Sequence, residues 1–275
     1  MTDWNSVFDG ILTERQFKVN EPMNRHNTYG IGGPADVFVM PQTEDQLKQV
    51  LRRADELHIP VTVIGGGSNS LISDRGIRGI TLCTARIKSS TVRKGNQIIV
   101  TGGAGTGAVS RFAMKEGLSG LEFAAGIPGT LLGAVFMNAN GYGSKFANVV
   151  HSVRTVTWDG RQEKHYTLEE IQYGDSDSVF MHNGDIVLEV VFDLKEGNPE
   201  EIKAVMDEYQ ASRRAKQPLE KRSAGTMFLR PPGHYVGPMI KGCDLMGFAI
   251  GDAQVSTKHP DFVVNNGKAS AADIL

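Results

Sequence analysis

The residues that most clearly suggest chemistry are three consecutive glycines followed by two polar side chains. Gly65, Gly66, Gly67, Ser68 and Asn69 come directly after a β-branched run that is typical of a buried strand. A glycine-rich turn at a strand end leaves backbone N–H groups free to bind a pyrophosphate, and Ser and Asn side chains add hydrogen bonds. An ordinary tight turn between strands is the alternative, and the loop by itself favours neither.

Glycine clusters elsewhere in the chain strengthen the ligand interpretation. The chain has 32 glycines among 275 residues, and many gather at 30–33, 102–107, 126–133 and 141–143. One ligand that approaches several backbone segments would explain these clusters together, because glycine has no side chain in the way. A Rossmann site is not predicted, since Ser70 stands where its third glycine belongs and no helix pattern follows.

Hydrophobic periodicity predicts an α+β fold around these loops. Helices are predicted after Thr43, after Gly107 and from Pro199 onward. Strands are predicted over residues 59–64, 97–101, 152–158 and 185–192, with a further strand and turn over 71–76. Asp159-Gly160 and Asn183-Gly184 are predicted turns of an antiparallel sheet.

Composition excludes several classes of partner. The chain carries 29 Lys+Arg against 31 Asp+Glu, a net charge of −2, so it lacks the positive surplus that binds nucleic acid or anionic membranes. No segment approaches the roughly 18 to 20 apolar residues that span a bilayer. Cys83 and Cys243 are far apart, and the histidines lack metal-ligand spacing. We therefore predict no nucleic acid, no membrane and no metal.

Four motifs, in order, resemble the UDP-N-acetylenolpyruvoylglucosamine reductase (UDP-N-acetylmuramate dehydrogenase) family. They are NTYGIGGPAD at residues 27–36, IGGGSNSL at 64–71, GLEFAAGIPGT at 120–130 and SAG at 223–225 with Phe228 shortly after. The resemblance covers nearly the whole chain, which is therefore identified as a member of this family.

The resemblance implies a fold and a cofactor. It implies a two-part FAD-binding region of the vanillyl-alcohol-oxidase type, at residues 1–82 and 83–196, followed by an α+β substrate domain at 197–275. FAD would be held by residues 65–69 and by a second segment. This second segment comprises Gly126, Ile127, Pro128 and Gly129, together with Asn138.

The resemblance also implies a reaction. NADPH would reduce FAD, and the flavin would reduce UDP-N-acetylglucosamine enolpyruvate to UDP-N-acetylmuramate in the cytoplasm. This step belongs to peptidoglycan synthesis, and so to cell wall biogenesis, cell shape and cell division. The UDP-sugar would be the partner molecule, with Arg214, Arg230 and Lys258 as candidate contacts.

The catalytic positions depart from the family pattern. Hydride transfer to an enol ether conjugated to a carboxylate needs a cation or donors for the developing charge, and an acid for the neighbouring carbon. The family has an arginine where this chain has Ser176, and a proton-donating serine where it has Thr226. The family's glutamate lies beyond a helix that begins at Ser270, so the C-terminal domain is expected to be truncated.

Three hypotheses follow from this combination. The first is an FAD-dependent reductase with impaired turnover that uses Thr226 or Ser176 as a donor. The second is a catalytically degenerate homologue that binds flavin or a UDP-sugar without reductase turnover. The third is a different flavin reductase whose substrate has no carboxylate that requires an arginine.

Overall fold

The computed structural model describes residues 2–275, and its first part is a four-stranded sheet with two helices. Its elements are α1 (Trp4–Phe8), β1 (Phe17–Pro22), β2 (Pro34–Val39), α2 (Glu44–Glu56), β3 (Val61–Ile64) and β4 (Ile77–Cys83). The strands lie in the order β1-β2-β4-β3, with β1 antiparallel to β2 and the other neighbours parallel. Thr43 caps α2 by accepting a hydrogen bond from the N–H of Gln46 at 3.1 Å, as its position before two acidic residues predicts.

The second part is built on a five-stranded antiparallel sheet in the order β11-β10-β12-β6-β5. Its elements are β5 (Ser90–Lys94), β6 (Gln97–Thr101), α3 (Thr106–Lys115), β7 (Leu118–Ser119), α4 (Leu131–Phe136), β8 (Asn140–Gly141), β9 (Ser144–Lys145), β10 (Val150–Val156), β11 (Glu163–Thr167), α5 (Leu168–Ile171), α6 (Phe180–Asn183), β12 (Ile186–Asp193) and β13 (Lys195–Glu196). The hairpin predicted at Asp159-Gly160 is confirmed, since it joins β10 to β11.

A long helix leads into the third part, a small three-stranded sheet. The elements are α7 (Pro199–Lys216), α8 (Val236–Gly242), β14 (Ala249–Ile250), β15 (Ala253–Val255), β16 (Val263–Asn265) and α9 (Ala271–Ile274). Asn198 caps α7 and Pro199 occupies its first turn, as the sequence predicts. The described helices include none that is long and apolar enough to cross a membrane.

Helix α2 packs between the first two sheets and gives them a shared core. Its buried face, with Leu47, Val50 and Leu51, lies in one apolar cluster with residues of both sheets. The cluster members from the second sheet are Val156, Ile186 and Leu188. The amphipathic spacing of α2 therefore fixes how the two halves of the candidate FAD-binding region meet.

The strand predicted over residues 71–73 is wrong. The backbone there is irregular, and the N–H groups of Gly33 and Gly76 both donate to the carbonyl of Ser73, at 2.9 and 2.8 Å. The strand begins only at Ile77, after Gly76 has reversed the chain with a φ of +77°. Ile72 lies in one small apolar cluster and Leu71 packs against another, and periodicity cannot distinguish such a segment from a short strand.

The turn predicted at Asn183-Gly184 is also wrong as a hairpin. Helix α6 ends there, and Gly184 takes a left-handed φ of +75° while its N–H donates to the carbonyl of Phe180. Glycine after the last helical residue is a common helix C-terminus, so the same dipeptide serves either structure.

The short helix predicted at Ser270 forms because a distant carboxylate holds it. Asp74 accepts hydrogen bonds from the N–H groups of Ala271 at 2.9 Å and Ala272 at 3.1 Å, while Ser270 caps the same turn. A one-turn helix is unstable alone, so this contact with the first part of the chain supplies what local sequence cannot.

We expect the shared core at α2 to be the main support of the two-sheet arrangement. Leu47→Ala removes a fully buried side chain and should lower the free energy of unfolding by about 2–5 kcal/mol. Leu57→Ala, at the end of the same helix where the side chain is 49% exposed, should change it by about 0.5 kcal/mol or less. Urea denaturation of both variants tests this, and equal losses would contradict it.

Candidate functional site

Two of the predicted cofactor segments lie directly against each other. We call residues 65–69 the phosphate loop and residues 126–130 the flavin segment. The hydroxyl of Ser68 donates to the carbonyl of Pro128 at 3.1 Å. A Cβ atom on Gly129 would lie 2.3 Å from Ser68 Oγ, and one on Gly66 would lie 2.9 Å from the Cα of Gly129. The fold thus brings into contact two segments that are 60 residues apart in the sequence, as the predicted FAD site requires.

Several glycines at this junction are required by contacts within the protein. A Cβ on Gly65 would lie 2.5 Å from Thr130 Oγ1, and one on Gly67 would lie 2.1 Å from the carbonyl oxygen of His26. Gly67 also has a φ of +65°, which other residues adopt only under strain. The glycine pattern therefore reflects close packing of loops on loops, and by itself it does not demonstrate a ligand.

Free backbone donors give the phosphate loop its fit to an anion. In the described part of the chain, the N–H groups of Gly66, Gly67, Ser68 and Asn69 donate to no protein acceptor. The Asn69 side chain is exposed beside them. Successive unpaired N–H groups are suited to phosphate oxygens, so the loop fits the pyrophosphate of FAD.

A third glycine loop completes the junction. The N–H and hydroxyl of Thr106, at the start of α3, both donate to the carbonyl of Gly129, at 3.1 and 3.3 Å. The N–H of Leu131 donates back to the carbonyl of Ala104 at 2.8 Å. These three hydrogen bonds fix the flavin segment and the following Leu131 to residues 104–106, where α3 begins.

Thr28 connects the phosphate loop to the segment that carries Thr226. Its N–H donates to the carbonyl of Gly67 at 3.2 Å, and its hydroxyl donates to the carbonyl of Ser223 at 2.6 Å. The neighbouring Tyr29 is fully buried, and its hydroxyl donates to the carbonyl of Val263 at 2.8 Å. Burial raises the pKa of Tyr29 to about 12, so this hydroxyl stays a donor near neutral pH.

Asn138 and Ser176 are brought to the same region by a backbone contact. The Asn138 side chain is buried, donates to the carbonyl of Gly174 at 2.7 Å and accepts from the N–H of Ala147 at 2.9 Å. Ser176 lies two residues after Gly174, in a tight turn with a φ of +55°. Asn138 therefore shapes the backbone around Ser176, and its contact with a cofactor stays a prediction.

Thr226 is exposed in a segment that a buried carboxylate holds. Asp261 is 7% exposed and accepts from the N–H groups of Met227 and Phe228 at 3.3 and 3.2 Å. Burial raises the pKa of Asp261, although these hydrogen bonds partly oppose the shift. Burial has the opposite effect on the nearby His259 and lowers the pKa of its imidazole. The Thr226 segment is thus tied on one side to Thr28 and on the other to Asp261.

Two of the three predicted substrate cations are neighbours, and the third contacts its own loop. The ammonium of Lys258 donates to the backbone carbonyl of Arg214 at 2.8 Å, so these two residues are neighbours. The Arg230 guanidinium instead donates to the carbonyl of His234 and lies 3.9 Å above the ring of Tyr235, within its own loop. The substrate roles of all three residues stay predictions.

Thr28 and Asp261 are site residues that the sequence did not single out. Thr28 lies inside the motif at residues 27–36, where its neighbouring glycines attract more attention. Asp261 follows a proline in an irregular stretch with no periodic pattern.

Within the described residues 2–275, no group of three His, Cys, Asp or Glu side chains is arranged to hold a metal ion.

Comparison with known proteins finds family matches for two parts of the chain. The FAD binding domain matches residues 35–165, and the C-terminal domain of UDP-N-acetylenolpyruvoylglucosamine reductase matches residues 217–275. The enzyme of that name from Geobacillus thermodenitrificans is 44% identical over 265 residues, which cover 96% of this chain and 86% of the relative. The one from Clostridioides difficile is 43% identical over 96% of this chain and 87% of its own length.

Solved structures agree with these matches. The UDP-N-acetylenolpyruvylglucosamine reductase (MurB) of Thermus caldophilus superposes with a TM-score of 0.78 at 33% identity, over 94% of this chain and 92% of that one. An alkyldihydroxyacetonephosphate synthase superposes with a TM-score of 0.53 at 16% identity, over 71% of this chain and 41% of the synthase, which shows a shared fold only.

The fold and the loops thus define an α+β FAD-binding oxidoreductase scaffold of the vanillyl-alcohol-oxidase type with an additional C-terminal domain. More specifically, the chain belongs to the UDP-N-acetylenolpyruvoylglucosamine reductase family.

We expect the contact between Gly129 and Ser68 to be necessary for cofactor binding. Gly129→Ala places a methyl group 2.3 Å from Ser68 Oγ at a φ of +94°, and should raise the Kd for FAD at least about tenfold. Gly95→Ala is the matched control, because it has a φ of +62° with nothing within 4 Å. Titration of apoprotein with FAD, followed by fluorescence, tests this, and similar Kd values for both variants would contradict it.

We expect the Thr28 hydroxyl to stabilise the attachment of the Thr226 segment. Thr28→Val keeps the shape but loses the hydrogen bond to Ser223, and should lower the free energy of unfolding by about 0.5–1.5 kcal/mol. Thr28→Ser keeps the hydroxyl and should retain most of that stability. Chemical denaturation compares the two, and a valine variant as stable as the wild type would refute the role.

Proposed function

We propose that this protein is an FAD-dependent, NADPH-linked reductase that converts UDP-N-acetylglucosamine enolpyruvate into UDP-N-acetylmuramate. The observation that carries the proposal is the phosphate loop, which has free backbone N–H groups and packs against the flavin segment. Relatives that carry the reductase name cover 96% of the chain. A cytoplasmic location and a role in peptidoglycan synthesis, and so in cell wall biogenesis, cell shape and division, are part of the same proposal.

The proposed cofactor site uses backbone more than side chains. The N–H groups of the phosphate loop would bind the FAD pyrophosphate, and Gly126, Ile127 and Gly129 would line the flavin. When bound, FAD would accept a hydride from NADPH and deliver it to the enol ether. The hydrogen bonds from Thr106 to Gly129 and from Ser68 to Pro128 would hold the two segments at a fixed separation while it does so.

Thr226 is the proposed proton donor to the carbon next to the one that receives hydride. Its hydroxyl is exposed on a segment held by Thr28 and Asp261, so its position is fixed although its surface is open. A threonine can donate a proton as a serine does, but its additional methyl group restricts its rotamers. The proposal therefore predicts slower turnover with threonine at this position than with serine.

Arg214 and Lys258 are the proposed contacts to the UDP diphosphate. The ammonium of Lys258 already donates a hydrogen bond to the backbone carbonyl of Arg214, and Arg214 is exposed. Arg230 is the third candidate, and its guanidinium is already engaged with His234 and Tyr235.

The residue limits 1–82, 83–196 and 197–275 remain our proposed domains, with the first sheet ending at Cys83 and the second beginning at Ser90.

A degenerate homologue that binds flavin or a UDP-sugar without turnover is the second candidate. The observation that favours it is Ser176, a neutral residue in a tight turn where the resemblance places an arginine. Loss of one stabiliser of transition-state charge costs roughly 100- to 1,000-fold in rate. FAD binding would survive such a loss, because the phosphate loop does not depend on Ser176.

The two candidates differ in a single assay. The purified protein is examined for flavin absorbance, and NADPH oxidation is then followed with and without UDP-N-acetylglucosamine enolpyruvate. Oxidation that the substrate stimulates supports the reductase. A flavin-loaded protein with no such stimulation supports the degenerate homologue, and a protein that takes up no FAD overturns both.

We expect Thr226→Ala to separate the two half-reactions. Reduction of bound flavin by NADPH should be unchanged, whereas reoxidation by the enolpyruvyl substrate should slow by about 100- to 10,000-fold, the range for loss of a general acid. Thr226→Ser should reoxidise at least as fast as the wild type, because serine lacks the methyl group that restricts the threonine rotamers. Stopped-flow absorbance measures both steps, and an alanine variant that reoxidises at the wild-type rate would exclude Thr226 as the donor.

A further inference from the structure

The carboxylate of Asp261 is buried and has no cationic partner. Asp261 is 7% exposed, and within residues 2–275 no Lys, Arg or His nitrogen lies within 4.0 Å of its oxygens. Its hydrogen-bond partners there are two backbone groups, since Oδ1 accepts from the N–H groups of Met227 at 3.3 Å and Phe228 at 3.2 Å. A buried carboxylate is costly unless hydrogen bonds compensate it, so these two bonds require the backbone after Thr226 to stay in place.

A backbone contact makes the role of this side chain separable from folding. The carbonyl of Asp261 also accepts from the N–H of Met227, at 3.0 Å, so this N–H keeps an acceptor if the side chain is removed. The N–H of Phe228 has only the carboxylate as acceptor in the described part of the chain. The buried hydroxyl of Tyr29 adds a further tie, because it lies 3.3 Å from the sulfur of Met227. Loss of the carboxylate should therefore loosen the peptide between Met227 and Phe228 while the segment remains attached.

Thr226 has no hydrogen bond of its own that fixes its orientation. Within residues 2–275 neither its N–H nor its hydroxyl has a hydrogen-bond partner, and the residue is exposed. The preceding Gly225 has a φ of +89°, and a Cβ atom there would meet nothing within 4 Å. The nearest hydrogen bond on that side is at the carbonyl of Ser223, which accepts from Thr28. On the other side the hydrogen bonds begin at the adjacent residue, so Asp261 is the closest constraint on the orientation of Thr226.

Other polar side chains near Asp261 do not supply the same constraint. His259 has a shielded Nδ1 atom with no partner in the described residues, and its ring packs edge-on against Phe262. The ammonium of Lys258 is directed to the carbonyl of Arg214. Among the side chains of residues 256–262, Asp261 alone forms hydrogen bonds to the Thr226 segment, residues 223–228.

We propose that Asp261 is a positioning residue for proton donation, and that it acts by holding the backbone directly after Thr226. This inference rests on the proposed function, in which Thr226 gives a proton to the carbon next to the one that receives hydride. A C–H bond forms at that carbon as the O–H bond of Thr226 breaks, and the exposed threonine oxygen regains a proton from water. Asp261 neither gives nor takes a proton in this step. Its two hydrogen bonds determine where the hydroxyl points, and misplacement of a reacting group by about 1 Å costs roughly 100-fold in rate.

The test compares both half-reactions by stopped-flow absorbance in the wild-type protein, in Asp261→Ala and in Asp261→Asn. Flavin reduction by NADPH should be unchanged in all three. Reoxidation by UDP-N-acetylglucosamine enolpyruvate should slow by about 10- to 100-fold in Asp261→Ala. Asp261→Asn should reoxidise close to the wild-type rate, because its amide oxygen accepts the same two N–H groups.

Two further variants separate positioning from support of the domain. Asp252→Ala is the matched control, because this exposed carboxylate also accepts a backbone N–H, from Lys268 at 2.7 Å, but outside the Thr226 segment. It should match the wild type in both half-reactions. Asp261→Ala introduced together with Thr226→Ala should slow reoxidation no more than Thr226→Ala does by itself, because a positioning effect has no target once the hydroxyl is gone.

The proposal is overturned if Asp261→Ala reoxidises at the wild-type rate, or if Asp261→Asn is as slow as Asp261→Ala. Equal slowing of both half-reactions, or an altered circular dichroism spectrum of Asp261→Ala, assigns the residue to the folding of the domain and also overturns it. Further slowing in the Thr226→Ala background has the same consequence. A wild-type protein whose flavin the enolpyruvyl substrate does not reoxidise refutes the proposed function, and this inference with it.

Discussion

The packing of the phosphate loop against the flavin segment is the contact on which the rest of the site depends. Ser68, Gly66 and Gly129 approach so closely that no side chain fits between them. Thr106 binds the carbonyl of Gly129 from a third loop, and Thr28 binds Gly67 from a fourth segment. A small change at this junction would therefore displace four segments together, and the phosphate loop would lose the contacts that hold it in place.

The same junction links the cofactor region to the C-terminal domain. The hydroxyl of Thr28 reaches Ser223, and Asn265 donates to the carbonyl of Tyr29, whose own hydroxyl reaches Val263. Asp74 extends this link by holding the first turn of α9. The segment that begins at Asn27 thus serves both sides, so the geometry of Thr226 depends on residues nearly 200 positions earlier in the sequence.

The sequence was informative where local patterns decide the structure. The amphipathic spacing of α2, the cap at Asn198 and the turn at Asp159-Gly160 all predicted what forms. Residues 71–73 and Asn183-Gly184 misled, because a short apolar run and an Asn-Gly pair are each compatible with two structures. The family was recognisable from long motifs, and the loops of those motifs meet in the structure. What the sequence could not supply is pairing over long distances, such as Arg213 with Gly126 or Asp261 with Phe228.

Hydrogen exchange measured by mass spectrometry, with and without FAD, tests the central claim most directly, namely that separate glycine loops form one cofactor site. FAD should slow amide exchange at residues 65–69 and 126–130 together, with a smaller effect at 223–228 through Thr28. Protection confined to one of the two loops, or none in either at saturating FAD, would contradict the account.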